Sequence, residues 1–512
     1  MKRQVTPLAL GLCLLGLVSA PVFADTDTAE LKQLKHELSA LQHKVAKLEN
    51  KSQNRNVYSE TASKKHTPIS GPSNLPTSGT QYLPVDIDVP GQSFVSSGPY
   101  IGIPLEFSGG NLIINSPSIN EDVTLLKLRK NIRERLSALG RPEEADHSHI
   151  LLSGIAEVQA SYSKTESSPS TSDLNLTSAI LDAYILGPST WTSALLEFAY
   201  DSSSGTASGS FGSNKREFNS RVYISKAFIV LGDMMKTPFY STIGQLYVPF
   251  GQYSSAMISD PLTKLLARTK ARTLVVGYDD TTYYGAVYGF KGASHASATS
   301  RVNNGGLNLG YRYTSGGVHA NLGGGVIANI ADSNGMQDTG GTPGFDGFGG
   351  PSATIGGTPV TVVNTGNETL VHRVAAYDLR AQVAVGERWD FLGEYIFAAS
   401  KFNPADLTLN GHGARPKALN AEAAYTMPWF SRPTSISVGY GMTKDALALG
   451  LPAQRYSLTL NTSFWKDTLE SLEFRHDIDY GASAVSTGST VAGPSGTGNS
   501  TNAITAQFDI YF

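Results

Sequence analysis

From residue 149 onward the chain alternates. Ile150, Leu152, Gly154, Ala156, Val158, Ala160 and Tyr162 take every second place, with Leu151, Ser153, Ile155, Glu157, Gln159 and Ser161 between them. A period of two puts the two sets on opposite faces of an extended strand. The pattern returns in 371–385, where Tyr377, Leu379, Ala381 and Val383 oppose Asp378, Arg380 and Gln382. It returns again in 469–480, where Leu472, Phe474, Ile478 and Tyr480 alternate with Glu473, Arg475, Asp477 and Asp479, and once more in 504–512.

A soluble β-sandwich alternates too. Here, though, the polar face carries full charges on long strands, and the apolar face gathers aromatics near strand ends. Connection lengths also alternate. Short links fall near 187, 232, 279, 315, 386, 429 and 466. Long Gly-, Ser- and Asn-rich connections fall near 164–172, 203–217, 250–270, 292–304, 332–369, 401–415, 444–453 and 481–500. Eight long and seven short connections predict sixteen strands, with both chain ends on the short-turn side. A sheet in lipid cannot leave an edge unpaired, so it must close. The reading is all-β: a sixteen-stranded antiparallel transmembrane β-barrel over 148–512, ending on the Phe512 that barrel-assembly machinery reads.

Periodicity changes at the start of the chain. Lys2 and Arg3 precede an apolar run and the small-residue site Val22-Phe23-Ala24, which predicts a secretory signal peptide over 1–24. The lone Cys13 lies within it. A lipid-attachment role fits poorly, because Leu12 is bulky where that signal wants a small residue. Leu31, Leu34, Leu38, Leu41, Val45 and Leu48 then recur at spacings of three and four, the a and d positions of a heptad. A single helix lying on a domain would show the same stripe, but nothing adjacent could cover it. A coiled coil over 25–52, in the periplasm, is therefore expected, with a homotrimer formed through residues 31–48. Residues 53–80 read as a linker. Residues 81–147 contain a helical stretch at 119–139 with an apolar stripe of Leu125, Leu126, Leu128 and Ile132. This segment fits either a periplasmic domain or a partial plug.

Composition narrows the class. No 18-residue apolar stretch follows the signal, while 52 glycines and 23 tyrosines suit an outer-membrane barrel. Without Lys2 and Arg3, the 40 basic side chains fall to 38 against 43 acidic ones, a net −5 that argues against nucleic acid as a partner. There is no G-x-S-x-G elbow, P-loop or H-E-x-x-H, so catalysis is not expected. No cofactor is expected either. Asp332, Asn334 and Asp338 only loosely follow the spacing of oxygen ligands for Ca²⁺.

One stretch breaks the alternation: PFGQYSSAMISDPLTKLLARTKAR, residues 249–272. It sits within a longer run, NSRVYISKAFIVLGDMMKTPFYSTIGQLYVPFGQYSSAMISDPLTKLLARTKARTLVVGY (219–278), that resembles the siderophore porins typified by the legiobactin receptor. INEDVTLLKLRKNIRERLSALG (119–140) and LLSGIAEVQASYS (151–163) carry the same resemblance. It implies a coiled coil before a sixteen-stranded barrel in outer-membrane lipid. It also implies uptake of ferric siderophores, polycarboxylate ones above all, without the large plug domain of energy-coupled receptors.

The residues themselves suggest where selectivity lies. The third long loop is where a porin folds a constriction inward, and this one carries Asp260, Lys264, Arg268, Lys270 and Arg272. Guanidinium groups engage carboxylates bidentately, and Tyr247, Gln252 and Tyr253 would add hydrogen bonds to hydroxyls. The predicted lumen offers Asp378, Arg380, Glu394, Arg455, Glu473, Arg475 and Asp477, a mixed and mainly acidic set that the basic loop would oppose. Two other functions remain open at this point: a general or anion-selective, phosphate-type porin, and an adhesin or envelope tether.

Overall fold

The computed structural model describes residues 119–138, 140, 147–187, 189–201, 221–292, 301–338, 370–386, 388–404, 406–429, 432–465, 467–488 and 491–512, with the backbone of short strands at 85–89, 93–97, 353–355 and 358–360. The expected signal peptide, coiled coil and linker lie outside the described residues.

Sixteen strands pair antiparallel in chain order. They are β1 (Ser148–Thr165), β2 (Thr171–Leu186), β3 (Thr192–Asp201), β4 (Arg221–Gly232), β5 (Phe239–Tyr247), β6 (Lys270–Asp279), β7 (Tyr283–Phe290) and β8 (Asn304–Ser315). They continue as β9 (Val318–Ile327), β10 (Ala376–Val385), β11 (Trp389–Ala398), β12 (Lys417–Trp429), β13 (Arg432–Lys444), β14 (Gln454–Thr462), β15 (Thr468–Ile478) and β16 (Ser500–Tyr511). β16 returns to β1, with Thr501 opposite Thr165 and Tyr511 opposite Ile155, and the sheet closes. Phe512 finishes the seam by exchanging backbone hydrogen bonds with Gly154. A glycine is needed there, since an added Cβ would lie 2.3 Å from the Phe512 ring.

The outer face is apolar and continuous. Ile229, Ile243 and Leu274 line up across β4, β5 and β6, each at least half exposed. Val276, Val287 and Leu307 extend the band across β6, β7 and β8. An exposed belt of this kind would drive aggregation in water and is the lipid-facing surface in a bilayer. Aromatic contacts frame it. Phe239–Tyr278, Tyr283–Tyr311, Trp389–Tyr425 and Trp465–Phe508 lie at the short-turn end, and Tyr377–Phe397 and Tyr440–Tyr456 at the long-loop end. Amphipathic rings at both ends mark the two membrane interfaces.

β4 departs from simple parity. By alternation Lys226 would share a face with Val222 and Ile224. A bulge at Ser225 breaks the register instead, so that Glu197 faces Lys226 while Phe198 faces Ile224. Val222 and Ile224 are consequently exposed on the lipid side, and Lys226, Phe228 and Val230 are buried inside.

Candidate functional site: the lumen and its two inserts

The inner wall is shaped to leave room. Tyr240 and Tyr284 lie flat over Gly277 and Gly310, where an added Cβ would come within 2.3 and 1.9 Å of their rings. Large side chains thus hug the wall, and two separate elements occupy the space inside.

The first is helix α1 (Glu121–Ala138). Its Val123, Leu125 and Leu126 join one apolar cluster with Tyr184, Leu195, Phe228 and Val230 of the inner wall. Polar groups hold it as well. The Tyr184 hydroxyl donates to the Leu125 carbonyl at 3.0 Å, and the Thr242 hydroxyl donates to Asp122 at 2.7 Å. Lys226 lies 2.7 Å from Glu121 and 2.5 Å from Glu197, and Lys127 lies 2.8 Å from Asp279. Arg129 reaches the carbonyl of Ser189 in a short turn. These strand partners face inward and the turn partner lies at one mouth, so α1 lies within the lumen at its short-turn end. Burial pushes the Glu121 carboxyl up to about 7 despite the attraction of Lys226, and burial raises Asp122 too. Upstream, strands 85–89 and 93–97 form a hairpin whose second strand runs parallel to β1, with Ser93 opposite Ser148.

The second insert is the loop of residues 248–269, which crosses to the opposite wall. Glu394 on β11 accepts hydrogen bonds from the backbone N–H of Gln252 (2.6 Å), that of Tyr253 (3.3 Å) and the hydroxyl of Thr263 (2.6 Å). Glu422 on β12 accepts from the Ser255 hydroxyl at 2.6 Å and the Ala256 N–H at 2.8 Å. Glu473 on β15 accepts from the Ser259 N–H at 3.0 Å. From the same wall, Arg455 donates to the carbonyl of Asp260 and Asn461 to that of Ala256. An irregular segment inside a barrel needs partners for its backbone groups, and these side chains supply them.

Within the loop, α2 (Leu262–Ala267) buries Leu262 and Leu266 completely. The long loop between β9 and β10 braces it. The Ser333 hydroxyl donates to the Leu266 carbonyl, the Asn334 N–H to the Arg268 carbonyl, and the Asn334 side chain accepts from the Lys270 N–H. Asp332 accepts from Asn304. Asn334 and Asp332 are therefore part of this packing, and no metal-binding cluster occurs among the described residues.

Several expectations change here. All the predicted lumen charges do face inward, but Glu394 and Glu473 are hydrogen-bonded to the loop backbone and do not oppose it as a bare acidic field. Asp378 and Arg380 form a buried pair, with Arg380 also reaching Asn308. Gln252 spends its side-chain amide on Gln382 and Ser254. Tyr253 is buried at φ 60°, with no hydrogen-bond partner for its hydroxyl. Arg268 and Lys270 lie over the Tyr247 ring at 4.6 and 5.5 Å, a cation–π arrangement at the loop's end. Arg272 is exposed on the same face as Leu274 and Val276, so it points away from the lumen and drops out of the constriction set.

What remains wet is a compact charged patch. Lys264 and Asp260 are 2.6 Å apart, Arg455 and Asp477 2.7 Å, and Arg475 and Asp477 3.1 Å, with side-chain exposures between 12% and 33%. Three cations share two carboxylates. Burial alone would raise Asp260, but Lys264, Arg268 and Arg455 outweigh it and hold its carboxyl below the usual range. Glu157 on β1 is within electrostatic reach of Asp260 and Lys264. Chemically, this patch can take an anion on Lys264, Arg455 and Arg475 while the loop backbone stays fixed. Sequence reasoning missed Thr263, Ser255 and Asn461 as anchors and Asp182 and Lys226 as inner groups. Only the break in parity at Lys226 signalled any of them.

No family model matches the chain. A UPF0422 protein of Legionella pneumophila is 39% identical over 431 residues, 82% of this chain and 76% of its own. Among solved structures, the outer membrane channel DcaP of Acinetobacter baumannii has 11% identity and a TM-score of 0.43, covering 71% of this chain and 97% of that one. An anion-selective porin from Comamonas acidovorans has 13% identity and a TM-score of 0.44, covering 71% and 100%. A UPF0422 protein of Coxiella burnetii is 34% identical over 520 residues, spanning 100% of both chains, and on that relationship this chain belongs to the UPF0422 family.

Proposed function

We propose that this protein is an outer-membrane channel that takes up anionic solutes, ferric polycarboxylate siderophores in particular. The observation that carries the reading is the wet patch in which Lys264, Arg455 and Arg475 pair with Asp260 and Asp477, with Glu157 and Glu473 beside it, set where an inward loop meets the far wall. Planar guanidinium groups bind carboxylates with two parallel hydrogen bonds, and a ferric polycarboxylate presents several carboxylates around one ion. The resemblance of 219–278 to siderophore porins supports the same substrate class, because the inserted loop falls within that run.

The test is uptake of a radiolabelled ferric polycarboxylate siderophore by cells carrying wild-type protein or Lys264→Gln/Arg455→Gln/Arg475→Gln. Uptake should fall at least tenfold in the triple variant, and unchanged uptake would overturn the proposal. The same three cations also favour an anion-selective porin without a siderophore role. That alternative predicts a reversal potential favouring chloride, with no saturation and no competition by the ferric siderophore.

A further inference from the structure

We propose that α1 is a gate: it obstructs the lumen while seated, and its departure is coupled to loss of protons from the acidic cluster around Lys226. This goes beyond the substrate question and rests only on the reading of the barrel as a channel.

The cluster is unbalanced. Glu121 and Asp122 come from α1, Glu197 from β3 and Asp182 from β2, and Lys226 on β4 is the cation among them. All five side chains are at most 4% exposed. Asp182 stands directly across from Glu197, and neither of its carboxylate oxygens has a hydrogen-bond partner. Asp122 is satisfied by Thr242 and by the Val123 N–H, with Asp279 and Tyr240 beyond it. Further along α1, Asp279 is shared by Lys127 and Arg312, so that end is locally compensated. The imbalance therefore lies at the helix's inner end.

Three buried carboxylates, Glu121, Glu197 and Asp182, around one ammonium, with Asp122 next to Glu121, cannot all ionise at tolerable cost, so the seated state holds protons. When α1 leaves, water reaches the cluster, and the protons held on Glu121 and Asp122 are released. The seated state binds more protons and is favoured as pH falls. For Glu121, whose carboxyl moves from 4.5 to about 7, the penalty on seating is absent below pH 4.5. It grows between 4.5 and 7 and is complete above that range.

The apolar contacts of α1 are modest enough for the charges to matter. Val123, Leu125 and Leu126 are buried, but Leu128 and Ile132 are only partly so. The outer half of the helix, with Arg133, Glu134 and Arg135, is largely wet.

The experiment is conductance of the full mature chain in planar bilayers in KCl. The conducting fraction should rise between pH 5 and pH 8, about tenfold per pH unit for each linked proton. Asp182→Asn with Glu197→Gln should flatten that response. Independently, Leu126→Cys with Gly232→Cys places sulfurs where the Leu126 side chain now meets Gly232, in a chain whose only native cysteine is Cys13. Oxidation should hold conductance low at pH 8, and reductant should restore it. Equal wild-type conductance at pH 5 and pH 8, or full conductance of the oxidised pair, would overturn the gate. If a variant lacking 119–140 conducts at no pH, the channel reading itself fails. If that variant conducts while the wild type ignores pH, only the gate fails.

Discussion

The guanidinium of Arg455 donates to the backbone carbonyl of Asp260 at 3.1 Å, joining β14 to a loop 195 residues earlier in the chain. The same side chain pairs with Asp477 at 2.7 Å. Arg455 is thus both a loop anchor and part of the wet cationic patch. Arg455→Lys keeps the charge but loses the fork that serves both partners. Anion selectivity, read as the reversal potential in a KCl gradient, should persist in Arg455→Lys and drop in Arg455→Gln. Loop protection in hydrogen exchange at 258–262 should fall in both.

Glu394 is the strongest anchor, since three donors converge on it. Glu394→Ala leaves those donors unpaired, at about 1–3 kcal/mol for each that water does not reach. Residues 250–268 should become protease-sensitive and single-channel conductance should rise, while thermal unfolding of the barrel shifts little. Glu394→Gln retains one acceptor and should lie between. An intact loop in Glu394→Ala would show that α2 packing alone seats it.

The tyrosine-over-glycine contacts make a sharp packing test. Gly310→Ala drives a methyl into the Tyr284 ring, where the unrelaxed separation is 1.9 Å. Overpacking of this kind costs about 1–3 kcal/mol. Gly393→Ala is the internal control, because no atom lies within 4 Å of its added Cβ. Urea midpoints in detergent should fall for Gly310→Ala and stay put for Gly393→Ala.

The barrel was legible in the sequence because its information is local. A period of two, charges on one face, and turn residues at seven short links follow from backbone geometry and show in composition. Lys226 was not legible, because one bulged residue, Ser225, inverts parity for the rest of the strand. Arg272 was misplaced for a related reason: strand parity, which begins at Lys270, fixes its face, whereas the charge run suggests a loop. Glu394 and Glu473 were recognised as inward, but their role was not, since their partners include backbone N–H groups that composition does not reveal. The same limit applies to α1. Its apolar stripe would suit any apolar surface, and what distinguishes the lumen wall from a periplasmic one is the set of polar pairings, Glu121 with Lys226, Asp122 with Thr242 and Lys127 with Asp279.

The Asp260–Lys264 pair sets how the patch responds to acid. Burial works against the Asp260 carboxylate, but Lys264, Arg268 and Arg455 prevail, so its folded pKa is depressed. A depressed acid contributes stability above its unfolded pKa, near 3.9, and loses it only as pH falls through the lower folded value. Between pH 7 and pH 5 the Asp260 carboxylate therefore stays ionised, and ion selectivity should not change. Any pH response over that range must come from elsewhere, which separates the patch from the acidic cluster at α1. Asp260→Asn frees Lys264 and should increase chloride preference severalfold at both pH values. If selectivity in the wild type instead shifts between pH 7 and 5 and Asp260→Asn abolishes that shift, Asp260 titrates in the normal range and the pairing with Lys264 is not maintained in the channel.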